Sequence, residues 1–369
     1  SPPIETLKTL LRGGNSFSLC YNYMRQALLI VILFCLNCQA QDALYAPAVI
    51  DNYENGVLAY KNNDRDEAKV LFSKCISEDS SCFEAYYGLG LIHFEEKNFD
   101  QSLLNTNQAK ALRPFDAKLM GLRGRIYFQK SNYPEAETLL KRAISIGDNS
   151  PENILYLALS LQKQDKYTTA LHYYNELVNK HPLEQEYWYK RGLLYVDMED
   201  YAAAQVDFKK ALEIADSPIK NIYIHLATTA LVLGDGEETL AQIAEGLKTA
   251  DEDEKVLLLL IKGTFVRDLG EYEKAQNFYN EAYQLQNENP LVLTHQAVVL
   301  IDLEKYDSAI AKCDDALVFN PNQKEAYFNR GIANEMIRNV DQACSDWQKA
   351  FVLGSQKAIQ YLNGPVCNE

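Results

Sequence analysis

The sequence lacks the features that mark most nucleic-acid-binding and metal-binding proteins. It has no tract of clustered lysine and arginine, and its formal net charge of −15 would repel a phosphate backbone. Only five histidines are present, and no two of them share the spacing of metal ligands. They are His93, His172, His181, His225 and His295. We therefore expect neither a nucleic-acid partner nor a bound metal.

Motifs for catalysis are also missing. The chain has no glycine-rich phosphate loop and no nucleophile elbow. Its many carboxylates fall on the faces of expected helices and in turns, where water solvates them. We predict that the protein is not an enzyme and has no catalytic residues, no cofactor and no small-molecule substrate. Its acidity has two interpretations, the solubility of a long surface or attraction to a basic partner.

The first 48 residues match nothing that follows. A short positive segment, Met24-Arg25-Gln26, precedes an apolar run over 27–36, and small residues end at Ala40. This is the layout of a secretory signal, and the run is far shorter than the roughly 20 residues that span a bilayer. We predict an upstream extension over 1–23, a signal peptide over 24–40 that is cleaved after Ala40, and a linker over 41–48.

A cleaved signal implies an exported protein of the periplasm or cell envelope, with no membrane association except through a partner. Two alternatives remain for this leader. It could carry a lipid on Cys35 or Cys38, although neither cysteine has the small residues before it that such a site needs. It could also be a buried helix of the fold.

One motif recurs along the rest of the chain. Every copy has Gly or Ala at one position and a second small residue twelve positions later, and the step is 34 residues except around the sixth copy. The first small residues are Gly56, Gly90, Gly124, Ala158, Gly192, Ala227, Gly263, Ala297 and Gly331. The second are Ala68, Ser102, Ala136, Ala170, Ala204, Thr239, Ala275, Ala309 and Ala343. Each copy is predicted to be two helices that cross at these residues, because larger side chains would push them apart.

This motif closely resembles the tetratricopeptide repeat (TPR) family over residues 49–357. The nine copies are 49–82, 83–116, 117–150, 151–184, 185–218, 220–253, 256–289, 290–323 and 324–357. The resemblance implies an all-α fold, an α-α superhelix (TPR solenoid) of helix-turn-helix repeats, with a C-terminal capping helix and tail over 356–369. The ending around Trp347 resembles that of exported bacterial TPR proteins. A bulky residue in most copies, such as Phe72 or Phe208, is expected to fill the space between neighbouring repeats.

The sixth copy departs most from the pattern. It has a glycine pair, Gly234 and Gly236, in its turn, and an acidic run over 251–254 follows it. Weaker packing there would make a hinge, whereas the alternative is an ordinary repeat that has drifted in sequence.

Five cysteines follow the leader, and an exported protein meets an oxidising compartment. The capping helix should run back along the last repeat helix, which brings Cys367 towards Cys344. Cys75 and Cys82 flank the end of one helix and the turn after it, so they form a second candidate disulfide. Cys313 is expected to be a small buried hydrophobe.

In the TPR family the first helix of each repeat lines a concave groove. The residues that the resemblance places there are Tyr53, Tyr87, Leu91, Phe94, Phe128, Tyr189, Leu193 and Phe328. The resemblance therefore implies an exported scaffold that binds a partner protein or peptide segment in this groove. The alternative is a regulatory or assembly subunit of a cell-envelope enzyme or secretion complex. Part of this lining could instead pack against its own neighbours.

Overall fold

The computed structural model describes residues 45–215 and 217–367, and all regular structure in those ranges is helical. The extension over 1–23, the signal peptide over 24–40 and most of the linker lie outside the described residues. The chain divides into two compact units, residues 1–165 and 166–369. No helix within the described ranges combines the length and hydrophobicity that crossing a membrane requires.

The described part of unit 1, from residue 45 onwards, contains seven helices in consecutive antiparallel order. They are α1 (Pro47–Lys61), α2 (Arg65–Glu78), α3 (Phe83–Glu95), α4 (Phe99–Leu112), α5 (Ala117–Gln129), α6 (Tyr133–Ser145) and α7 (Pro151–Gln162). Helix α1 begins at Pro47, inside the segment predicted as a linker. Pro suits this first position because its missing N–H would have no partner in the helix.

Unit 2 contains the remaining helices. They are α8 (Tyr167–Lys180), α9 (Gln185–Asp197), α10 (Tyr201–Glu213), α11 (Ile222–Val232), α12 (Gly236–Thr249), α13 (Glu252–Asp268), α14 (Tyr272–Leu285), α15 (Pro290–Asp302), α16 (Tyr306–Phe319), α17 (Lys324–Met336), α18 (Val340–Val352) and α19 (Ala358–Leu362). A short 3-10 turn, Pro365–Cys367, follows α19.

The first helix of each repeat ends in the same type of C-terminal turn. One residue adopts a positive φ, and the next N–H bonds back to a carbonyl five residues earlier, as Asn98 N–H does to His93 O at 2.8 Å. The left-handed residues are Asn63, Lys97, Ser131, Asp165, Glu199, Gly234, Gly270, Glu304 and Arg338. Their regular spacing fixes where each turn lies. The next helix then often begins at an Asp or Asn cap, such as Asp200, whose carboxylate accepts from Ala203 N–H at 3.1 Å.

The small residues lie against bulky side chains of their own repeat. A Cβ on Gly192 would come within 2.6 Å of the Phe208 ring, and a Cβ on Gly331 would come within 2.5 Å of Trp347. The same bulky rings also contact the next repeat, since Phe208 stacks on His225 with centroids 5.3 Å apart. These side chains therefore fill the space inside a repeat as well as the space between repeats, which extends the sequence-based expectation.

The sixth repeat has a buried core that continues into the seventh. Ala227, Ile243 and Leu258 form one buried cluster that joins it to the seventh repeat. The acidic run after it forms a capping box at the start of α13, in which Asp251 accepts from Glu254 N–H at 2.9 Å. Lys220 Nζ also lies 2.7 Å from Asp251 Oδ2. These contacts favour the ordinary drifted repeat over the hinge.

The described cysteines differ in their chemical state. Cys344 and Cys367 form a disulfide with their Cα atoms 5.7 Å apart, and it ties the 3-10 turn to α18. The candidate Cys75–Cys82 bridge is wrong, because both residues are buried free thiols. Burial and the neighbouring Cys82 raise the pKa of Cys75 to about 12, so the thiolate that disulfide exchange needs is scarce. Cys313 is fully buried in the core.

Candidate functional site

Three rings from three successive first helices meet in unit 1. Phe94 on α3 and Phe128 on α5 both contact Tyr156 on α7, with ring centroids 6.4 and 5.2 Å apart. The Arg125 guanidinium lies 5.4 Å from the centroid of the Phe94 ring, within the range of a cation–π contact. Phe94, Phe128, Tyr156 and Arg125 are all half-buried, so each keeps an accessible edge. We call these four residues the aromatic cluster.

Polar groups sit at the border of the aromatic cluster. Gln129 Nε2 donates to the Tyr156 hydroxyl at 3.2 Å. The Arg125 Nε is buried, and no acceptor pairs with it in the described part of the chain. An unpaired buried donor costs free energy until an acceptor reaches it. The cluster therefore combines apolar ring faces with a donor, a combination that suits a peptide segment.

Two other predicted groove residues of unit 1, Tyr53 and Tyr87, also contact rings of their own repeats. The Tyr53 ring lies 6.0 Å from Phe72, and the Tyr87 ring stacks on Phe83 at 6.2 Å. Burial raises the pKa of Tyr87 above its ordinary value. Leu91 is half-buried on the same helix as Tyr87. These residues lie on the first helices and are half-buried, as the residues of the aromatic cluster are.

Tyr189 belongs to the core of unit 2. It is only 9% exposed, and its ring contacts Phe208 and His225, each with centroids 5.7 Å away. Leu193 is partly buried against the same group. The alternative that the lining packs against its own neighbours therefore describes this part of the chain, and Tyr189 has little surface left for a partner.

A cavity of about 630 Å³ lies among the first helices at the C-terminal end of unit 2. Its walls come from α13, α15 and α17 and from the turn at 354–357 that precedes the capping helix. The lining residues from the helices are Arg267, Leu291, Thr294, His295, Val298, Ile301, Asp302, Lys324, Glu325, Phe328, Asn329 and Ile332. Phe328 is a predicted groove residue that the structure places here.

The cavity combines apolar side chains with polar and charged ones, and two of the charges are paired. Arg267 Nε donates to Asp302 Oδ2 at 2.5 Å, which neutralises both groups. Burial, together with the nearby Arg267, lowers the pKa of His295 to about 4, so its ring is neutral at pH 7. Lys324 and Lys357 add two ammonium groups and Glu325 one carboxylate. This arrangement can hold an apolar side chain and leaves cations for a neighbouring acceptor.

The capping segment holds one wall of this cavity in place. The Phe328 ring meets Tyr361 of α19 edge-on at 5.2 Å, and Trp347 Nε1 donates to the Phe328 carbonyl at 3.2 Å. The Cys344–Cys367 disulfide anchors the end of the same segment. The position of Phe328 thus depends on contacts that are distant in sequence from it.

A recurring arginine was missed by the sequence-based search. It directly precedes the first small residue of three repeats, at Arg123, Arg191 and Arg330. Arg191 and Arg330 belong to unit 2, and each has one partner 16 residues before it and one 16 residues after it in the sequence. Arg191 bonds Asp207 and Asn175 at 2.7 and 2.8 Å, measured from Nε and Nη1. Arg330 Nη2 bonds Asp346 at 2.6 Å and its Nη1 bonds Asp314 at 2.5 Å. An alignment of the repeats by position would have shown these pairs.

Comparisons with known proteins agree with this architecture. Models of the tetratricopeptide repeat match residues 53–117 and 258–289, and the model of anaphase-promoting complex, cyclosome, subunit 3 matches residues 129–210. Anaphase-promoting complex subunit 3 of Schizosaccharomyces pombe is 21% identical over 265 residues, which cover 72% of this chain and 39% of that protein. The chain thus spans well under half the length of this curated relative.

Two solved structures are similar to this chain. The crystal structure of PilW, a widely conserved type IV pilus biogenesis factor, matches with a TM-score of 0.51 at 14% identity, over 56% of this chain and 94% of that one. A tetratricopeptide repeat protein from Parabacteroides merdae matches with a TM-score of 0.48 at 18% identity, over 77% and 97%. With its recurring motif, paired helices and matched repeat models, this chain is a tetratricopeptide repeat protein with the fold of a protein-binding scaffold.

Proposed function

We propose that this protein is an exported scaffold that binds a segment of a partner protein on the face formed by its first helices, with no catalysis of its own. The cavity between α13, α15 and α17 is the observation that carries the proposal. It is concave and lined by apolar side chains together with polar and charged groups, a combination found in binding sites. The aromatic cluster of unit 1 is a second contact surface on the same kind of helix.

The expected ligand is a segment with an apolar anchor residue next to a hydrogen-bond acceptor. The anchor would enter between Val298, Phe328 and Ile332, and Lys324 or Lys357 would face the acceptor. Buried aromatic anchors that fill well-packed pockets carry much of the binding energy of such contacts. Because the contact is mostly apolar, raising salt from about 0.05 to about 0.5 M should weaken binding by less than about threefold.

Site-directed crosslinking tests this proposal. A photo-reactive residue replaces Val298 in the cavity, and in a matched control it replaces Val318 on α16, which is 76% exposed and does not line the cavity. We expect a discrete crosslinked partner from position 298 only. The variant Val298→Arg should abolish that crosslink from a probe at Leu291, whereas Val318→Arg should not. Equal crosslinking from both positions would contradict a site in the cavity.

Export is a separate part of the proposal with its own measurement. The predicted signal peptide motivates it, and the mature chain should begin at Gln41. Intact-mass analysis of protein recovered from the periplasm or medium would give that start. A retained leader or an acylated Cys38 would contradict cleavage after Ala40. If the crosslinked partner is an enzyme or secretion subunit present at equal stoichiometry, the alternative role as an assembly subunit is favoured instead.

A further inference from the structure

The turn that ends each first helix changes character between the two units. The residue directly before the left-handed turn residue is polar in the repeats of unit 1, at Asn62, Glu96, Lys130 and Gln164. In unit 2 the same position is apolar in all five repeats, at Met198, Leu233, Leu269, Leu303 and Ile337. We call these five residues the apolar edge.

Four members of the apolar edge are exposed to solvent. Met198 is 37% exposed, Leu233 46%, Leu269 62% and Ile337 43%, while Leu303 packs partly against the core of its repeat. Val232 and Met336, one residue earlier in their repeats, are each 53% exposed. Single exposed leucines are normal on any protein, but a large apolar residue at one register position in every repeat of a unit forms a row. Such a row marks an interaction surface.

The charges beside the apolar edge are mostly of one sign. The five turns at 197–200, 232–235, 268–271, 302–305 and 336–339 contain eight acidic and two basic side chains. The corresponding turns of the first four repeats, at 61–64, 95–98, 129–132 and 163–166, contain four acidic and five basic side chains. Because like charges repel, the acidic border disfavours a second copy of the same edge and an anionic bilayer. It favours a ligand that is both apolar and basic.

We propose that the apolar edge of unit 2 docks a basic amphipathic helix of a partner protein. Neighbouring packed helices lie about 8–10 Å apart, and seven residues of an α-helix rise about 10.5 Å. A partner helix with one apolar residue in each heptad would therefore meet the edge once per repeat. Lysine or arginine on its flanks would face the acidic turns. The five apolar residues of the edge do not line the cavity, although Asp302 beside Leu303 does, so the edge would serve a second partner or a second segment of the same one.

Binding of synthetic peptides to the full chain tests the proposal. The probe is a labelled helical peptide of about three heptads, with leucine on one face and lysine on both flanks. A matched peptide has glutamate in place of lysine, and another has glutamine in place of leucine. We expect the basic amphipathic peptide to bind at least about tenfold more tightly than either, because each control removes one of the two complementary features.

Paired variants locate the surface. Leu233→Gln with Leu269→Gln removes the two most exposed leucines of the edge and should weaken the peptide at least about tenfold. Glu96→Gln with Lys130→Gln alters the corresponding turns of unit 1 and should change binding by less than about twofold. Val298→Arg in the cavity should leave this binding unchanged, which separates failure of this proposal from failure of the proposed function. Circular dichroism checks that each variant folds.

Three results would overturn the proposal. Equal binding of the lysine and glutamate peptides would show that charge complementarity does not contribute to binding. Full binding by Leu233→Gln/Leu269→Gln would show that the site lies elsewhere on the chain. Self-association of the chain without peptide, lost in that same variant, would identify a second copy as the occupant. Binding to neutral phosphatidylcholine vesicles that needs both leucines would identify a bilayer surface instead.

Discussion

Units 1 and 2 share one repeat but differ in how they treat a buried arginine. In unit 1, Arg123 is 4% exposed and bonds only neutral groups, Thr106 Oγ1 at 3.4 Å and Asn107 Oδ1 at 2.7 Å. Burial lowers the pKa of Arg123. In unit 2, Arg330 occupies the same register position and bonds carboxylates, and its pKa is raised by Asp346. A buried arginine at this position therefore lacks compensation for its lost hydration in unit 1, whereas in unit 2 it forms ion pairs that join helices.

The difference shows that the same residue at the same repeat position can contribute differently to stability. The partner 16 residues away decides whether a buried charge is compensated, because desolvation of a lone ion is expensive and a paired one recovers much of that loss. The turn edges show the same contrast, since they are polar in unit 1 and apolar in unit 2. The small residues at helix crossings, which depend only on shape, are alike in both units.

The largest effect is expected from Arg330→Met. This change leaves Asp346 buried without its cation, so unfolding free energy should fall by about 3–5 kcal/mol. Urea unfolding followed by circular dichroism measures it. The double variant Arg330→Met/Asp346→Leu should recover a large part of the loss. No recovery would mean that packing around the guanidinium matters more than its charge.

Loss of the disulfide at the end of unit 2 should come next. Cys344 and Cys367 are 23 residues apart in sequence, and closing a loop of that length contributes about 3 kcal/mol. Cys344→Ser/Cys367→Ser should therefore lower stability and speed hydrogen exchange in α19, which supports Phe328. Reductant should shift the unfolding midpoint of the parent protein but not of this variant. An equal shift in both would assign the effect to other thiols.

Acidification should destabilise unit 2 through His295. Its pKa falls from 6.5 to about 4 on folding, so the unfolded chain binds the proton more readily between those pH values. Stability is therefore full above pH 6.5 and is lost as pH falls towards 4, by about 2 kcal/mol at pH 5. His295→Gln should flatten this dependence, whereas His172→Gln, on the exposed surface of α8, should not. An identical pH profile in both variants would exclude His295 as the cause.

The smallest effect is expected from Arg123→Met, which completes the comparison with Arg330. Here the change removes a buried charge that has no carboxylate partner and leaves neutral groups behind. We expect stability to change by less than about 1 kcal/mol, or to rise, when measured by urea unfolding. A loss as large as that of Arg330→Met would show that Thr106 and Asn107 depend on the guanidinium, and the contrast between the units would fail.

Much of the fold could be predicted from the sequence because the signals are local. Gly192 and Ala204 mark a helix crossing through their size alone, and Pro182 ends a helix through its missing N–H. The candidate site was predicted less well. Phe94, Phe128 and Phe328 lie at accessible positions, but Tyr189 is buried, because Phe208 and His225 from two other helices close over it. Exposure depends on neighbours that no single repeat contains.

The sequence by itself determined the period, the helix ends and the small and bulky positions of this protein, since these follow from backbone geometry and side-chain volume within one repeat. Only the tertiary structure decided which residues form the cavity, which arginine has a carboxylate and which cysteines are joined. Those outcomes depend on distances between repeats. Cys344 and Cys367 illustrate this, because they are 23 residues apart in sequence and meet across the capping segment.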